Sequence, residues 1–77
     1  MNEPNVADAV ELHLLDQAGA AIAVIGVAEA ARQRTLNGGR AIHDGQIEAF
    51  RLVDRDGVTV ASGSVVPPMR VTAGQVL

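Results

Sequence analysis

Between Ile47 and Val65 the chain places Asp56-Gly57 between two segments that alternate in polarity and are rich in Val, Thr, Phe and Leu. Asp-Gly supplies the positive backbone dihedrals of a tight primed turn at low cost, and period-two alternation fits extended strands rather than a helix, so the stretch predicts a β-hairpin. With Asp56 and Gly57 as the two loop residues, Arg55 faces Val58, Val53 faces Val60, Leu52 faces Ala61 and Phe50 faces Gly63. The only aromatic ring of the sequence is then expected to lie over a strand glycine, covering backbone that a side chain would otherwise shield.

Further strands are expected on both sides. Val10-Glu11-Leu12-His13-Leu14-Leu15 puts Val10, Leu12 and Leu14 on one face and Glu11 and His13 on the other. Gln17-Ala18-Gly19 reads as a turn, and the β-branched run within Ala20 to Val27 as a strand paired back on the first. The competing arrangement is a helix from about Ala20 to Leu36, since Ala is the best helix former and Asn37-Gly38-Gly39 suits a C-terminal stop. A combined form ends the strand at Val27 and adds a short helix around 28–36. Asp44-Gly45 marks a second turn. Pro67-Pro68 is expected to stop ladder pairing because proline has no N–H to donate. Met69 to Thr72 reads as another short strand, Ala73-Gly74 as a turn, and Gln75-Val76-Leu77 as the start of a last strand. No internal repeat is evident at this level. The expected fold is mainly β, a small antiparallel β-sandwich or open barrel built on the central hairpin, with residues 1–5 as a flexible lead-in and 6–77 as one domain.

Composition limits how such a fold can be stabilised. Of the 77 residues, 48% are apolar, but most of these are Ala and Val, with one Phe and no Tyr or Trp. Small side chains remove little area from water, at roughly 25 cal/mol per Å². A chain of this length is near the size at which a core alone gives only a few kcal/mol. There are no cysteines for disulfides or thiolate metal sites. Oligomerisation is the remaining support, and the expected partners are copies of the same chain or a larger protein or complex on which it docks.

Charge argues against a nucleic-acid partner. The formal net charge is −3, lysine is absent, and the six arginines are outnumbered by nine carboxylates. Sequence-independent nucleic-acid binding depends on clustered positive charge, and single-strand binders also use stacking aromatics. The longest apolar run, Ala18 to Ala28, is too short to cross a bilayer, and the polar, acidic start lacks the basic region of a signal peptide. No membrane partner is expected.

Candidate chemical sites are weaker than the strand pattern. Asp54-Arg55-Asp56-Gly57 looks like a fragment of a calcium loop, but no later carboxylate completes it, and a turn is the expected role. His43 with Asp44 could form a base and its orienting group, with Ser62 or Ser64 as nucleophile, yet no nucleophile elbow accompanies them. His13 and His43 lack a third metal ligand nearby in sequence. Asn37-Gly38-Gly39-Arg40 fits neither a phosphate loop nor a dinucleotide fingerprint. No enzyme activity, catalytic residue, metal or cofactor is expected. The residues expected to bind a partner are Phe50, Val65, Val66 and Met69, because Pro67-Pro68 should hold an extended segment with apolar flanks at the surface.

One resemblance extends this reading. The segments Ile47 to Val60, Ala61-Ser62-Gly63-Ser64-Val65 and Val71-Thr72-Ala73-Gly74-Gln75-Val76 resemble the C-terminal part of small virion-associated proteins of tailed bacteriophages and prophages. Those show an aromatic-Arg pair leading into an Asp-x-x-Gly turn, a Gly-Ser-Val strand and an Ala-Gly-Gln segment. The likeness covers about residues 42–77. Pro67-Pro68 stands where the family has a glycine-rich loop, and the pattern continues beyond the position of Leu77, so a neighbouring subunit would complete the last strand. The resemblance implies a structural or accessory role in a phage-type particle, as capsid decoration or head-tail component, located in the virion or host cytoplasm. A small non-catalytic protein-binding regulatory module is the alternative.

Overall fold

The computed structural model describes residues 6–27 and 39–76. After a short 3-10 helix (Val6–Asp8), the chain forms β1 (Ala9–Leu15), β2 (Ala21–Gly26), β3 (Arg40–Ala41), β4 (Gly45–Asp54) and β5 (Thr59–Val71). The fold is mainly β: among the described residues all five strands are antiparallel and lie in one sheet, ordered β3-β2-β1-β4-β5. The lead-in at 1–5 and the short helix around 28–36 lie outside the described residues. The Ile22 to Ile25 run is strand, as its β-branched side chains favour, which places the start of the competing Ala20 to Leu36 helix in β2 instead.

The central hairpin forms with a longer loop than expected. Pairing matches the expected register at Leu52↔Ala61 and Phe50↔Gly63, but Val53 pairs with Thr59 rather than Val60. Asp54 N donates to Val58 O at 2.9 Å and Gly57 N to Asp54 O at 3.0 Å, so Arg55, Asp56 and Gly57 together make the turn. Gly57 has φ +80, the left-handed conformation that closes a three-residue loop with a glycine bulge. Val60 is left without a partner on β4 and forms a β-bulge.

The β1–β2 hairpin has the same construction 38 positions earlier, where Asp16 and Gly19 stand as Asp54 and Gly57 do. Asp16 N donates to Ala20 O and Gly19 N to Asp16 O, both at 3.0 Å, and Gly19 has φ +85. Asp16 Oδ1 accepts from the N–H groups of Ala18 and Ala20 at 2.9 and 3.0 Å; Asp54 Oδ1 accepts from Asp56 and Val58, both at 2.9 Å. The bulged residue is Ile22 in one hairpin and Val60 in the other. Every pair from Glu11↔Gly26 to Leu15↔Ala21 maps by the same offset onto Ala49↔Ser64 to Val53↔Thr59. The β1–β4 ladder obeys the same relation, with His13↔Arg51 mapping onto itself and Leu12↔Leu52 onto Leu14↔Phe50. An approximate two-fold axis therefore passes through the sheet between His13 and Arg51. The repeat is faint in the sequence: among the described residues only Leu14/Leu52, Asp16/Asp54, Gly19/Gly57, Ala23/Ala61 and Val27/Val65 are identical across it.

The two halves fill the sheet face with different side chains. Across the four long strands β2, β1, β4 and β5, one row reads Ile25, Leu12, Leu52, Ala61 and its counterpart Gly63, Phe50, Leu14, Ala23. Ile25 beside Leu12 is replaced by Gly63 beside Phe50, so a large ring on one strand takes the space of a missing side chain on the next. A Cβ built on Gly63 would lie 2.8 Å from Phe50 Cε1 and 3.0 Å from Cζ.

The core collects at one end of the sheet. Leu14, Ile22, Ala23, Ala41, Ile47 and Val71 are buried together, with Leu12, Ile25, Phe50 and Val65 packed against them. The bulge at Ile22 explains why adjacent residues Ile22 and Ala23 are both buried, since it breaks the alternation of faces there. After β5 the chain turns through Thr72–Gln75 and returns to β3. Gly74 N donates to Ala41 O at 2.8 Å, Ala41 N to Gln75 O at 2.9 Å, and Val76 bridges Arg40. The two sides of the sheet are thereby joined at the end where the core lies.

The shared aspartate turns give a direct test. Asp54→Ala removes the acceptor of two backbone N–H groups and should cost about 1–2 kcal/mol in urea unfolding, Asp16→Ala a similar amount, and Asp54→Asn much less because its amide oxygen can still accept. Equal stability of Asp54→Ala and wild type would contradict the role assigned to the carboxylate.

Candidate interaction surface

Pro67-Pro68 does not end the ladder. β4 pairs with β5 as Ala49↔Ser64 and then again as Ile47↔Met69, Gln46↔Arg70 and Gly45↔Val71. Val65, Val66, Pro67 and Pro68 thus stand opposite Glu48 alone, and the prolines occupy an excursion where no N–H is needed. The Val66-Pro67 peptide is cis. Pairing resumes after the excursion because Met69, Arg70 and Val71 each carry a backbone N–H.

The four residues expected to bind a partner separate into two groups. Phe50 and Val65 are half-buried against the core, and Phe50 covers Gly63 as the register required. Part of their apolar surface is thus used within the chain and part remains accessible. Val66 is 86% exposed and Met69 47% exposed, on either side of Pro67-Pro68. The excursion presents an apolar ridge, Val66 to Met69, beside the outer strand. Val58, which the sequence pattern did not single out, is 48% exposed at the turn just before β5.

The outer side of β5 is the second component of this surface. Among the described residues β5 pairs only with β4, whereas the short β3 at the opposite side is flanked by Gln75 and Val76. From Val58 to Val66 the sequence Val-Thr-Val-Ala-Ser-Gly-Ser-Val-Val contains no charge and no proline. Edge strands are usually blunted by such residues; here the blunting residues, Pro67, Pro68 and Arg70, come only after this segment, and the 3-10 helix Val6–Asp8 lies near the strand.

Asp44 Oδ1 accepts from Ala73 N–H at 2.7 Å and fastens the turn after β5. Ser64 pairs with Ala49, five positions along β4 from Asp44, which is roughly 16 Å of strand. His13 Nε2 lies 3.0 Å from Glu11 Oε1, on the opposite sheet face from Leu12 and Leu14 as expected. His13 and Arg51 face one another across the ladder, and His13 Nδ1 and Arg51 Nε are shielded from solvent without a hydrogen-bond partner among the described residues. His43 sits exposed in the bend between β3 and β4. Among the described residues no three His, Cys, Asp or Glu side chains group as metal ligands, and no helix is long and apolar enough to cross a membrane. The Asp54 carboxylate is engaged by the turn N–H groups, the role expected of it instead of calcium binding. No family model, curated protein or solved structure matches the chain.

Proposed function

We propose that this protein is a structural or accessory component of a phage-type particle, such as a capsid decoration or head-tail protein, acting by self-association and by docking on a larger shell protein. The observation that carries this reading is that the uncharged segment 58–66 at the edge of the sheet runs directly into the exposed Val66 to Met69 ridge of the same strand. The resemblance over residues 42–77 supplies the kind of particle. Many weak copies on a repeating shell would gain occupancy by avidity, so a thin core and a small apolar ridge suffice for the task. Such a component would reside in the virion or in the host cytoplasm before assembly.

The ridge is tested by changing Val66 and Met69 to serine together. Both side chains are exposed, so the fold should be retained within about 0.5 kcal/mol. Size-exclusion chromatography with light scattering on mixtures with candidate shell particles should show the wild type joining a particle and the variant joining it at least about tenfold more weakly. A wild-type protein that stays a folded monomer and joins no particle would overturn the proposal.

A further inference from the structure

We infer that β5 pairs with β5 of a second copy, edge to edge and antiparallel, and that the product is a closed dimer with one continuous sheet. This rests on the self-association reading and adds the surface, the partner and the stoichiometry. The internal two-fold supplies the first reason. In the first hairpin the outer strand β2 carries a neighbour, β3, through Ala23↔Ala41 and Val24↔Arg40. The positions of β5 that correspond to Ala23 and Val24 are Ala61 and Ser62, and they have no strand beside them among the described residues. The bulge at Val60 is no obstacle, because β2 carries the same bulge at Ile22 and still receives a strand one residue later.

Charge and edge count identify the occupant. Antiparallel pairing of two copies of residues 58–66 brings no charged side chain opposite another, since that segment has none. Ser62 and Ser64 share one face and are exposed, so their short hydroxyl side chains would flank the seam without bulk. The β3 side of the sheet is flanked by Gln75 and Val76, so only one long edge is left among the described residues. A single self-complementary edge gives an isologous contact that closes at two copies, whereas two open edges would continue into a fibre.

The test uses the full chain and two double variants, S62E/S64E and S62K/S64K, with circular dichroism to establish that each folds. Like charges across the seam should weaken dimerisation on the order of a hundredfold in each variant alone, and mixing the two should restore it. Hydrogen exchange of the wild type should show N–H groups within Val60–Val66 that become protected as concentration rises through the dimerisation range. Variants that each dimerise as tightly as the wild type, with no concentration-dependent protection in this segment of the wild type, would overturn the β5 seam and leave self-association standing. A wild type that is monomeric throughout would overturn both.

Discussion

Replacing Ile47 by alanine should unfold a large fraction of the chain at 25 °C. Ile47 is fully buried where β4 meets the end of β5, among Leu14, Ile22, Ala23, Ala41 and Val71. Truncating a buried isoleucine to alanine costs about 2–5 kcal/mol, and a domain of this length has only about 3–5 kcal/mol to lose. The same residue pairs with Met69, so the cavity would also loosen the strand that resumes after Pro67-Pro68 and the turn that joins β5 to β3. Thermal unfolding followed by circular dichroism should show the transition lowered beyond a well-formed folded baseline. Val66→Ala, at an 86% exposed position, should leave the transition within a few degrees of wild type. An Ile47→Ala protein as stable as Val66→Ala would mean that the core lies elsewhere.

The second large effect concerns the two ways in which the repeated hairpins fill one face. Gly63→Ile alone should destabilise by about 2–4 kcal/mol, because its Cβ would already lie 2.8 Å from the Phe50 ring and the remaining carbons have no space. Phe50→Leu alone should cost about 1–2 kcal/mol by uncovering the glycine backbone and thinning the packing against the core. Combining them recreates the Leu12 and Ile25 pair that occupies the corresponding position in the first hairpin. The double variant should recover most of the loss, giving a coupling of about 1–3 kcal/mol in a double-mutant cycle of urea unfolding energies. Additive losses would show that the hairpins are not equivalent in packing, whatever their registers.

These two sites also show what could be read from residues alone. Alternation and turn residues are local, so the central hairpin, the Phe50 over Gly63 contact, the β1 faces and the turns at Gly19 and Gly74 were all legible. The loop length at Asp54 was misjudged by one residue because the Asp side chain accepts two backbone N–H groups and favours a three-residue turn with a bulge over the two-residue form. Local chemistry makes Pro67-Pro68 a stop because proline removes a donor. It became an excursion because the next three residues find the same partner strand again, a long-range fact that local pattern does not encode. The repeat was hidden for a related reason: equivalent positions exchange volumes between strands, Leu with Phe and Ile with Gly, so physical equivalence survives while identity is lost. Of the candidate surface, the exposed Val66 and Met69 followed from proline chemistry. The open side of β5 depends on strand order, and on Gln75 and Val76 reaching β3, which only the fold reveals.

Self-association is the central claim, and the mass of the wild-type protein in solution tests it most directly. Sedimentation velocity across a wide concentration range, with far-ultraviolet circular dichroism on the same samples, should show a β-rich protein passing from the 8.0 kDa chain to a species of twice that mass. A β-rich monomer at every concentration would contradict the account, leaving the edge of β5 without the partner that its shape and charge invite.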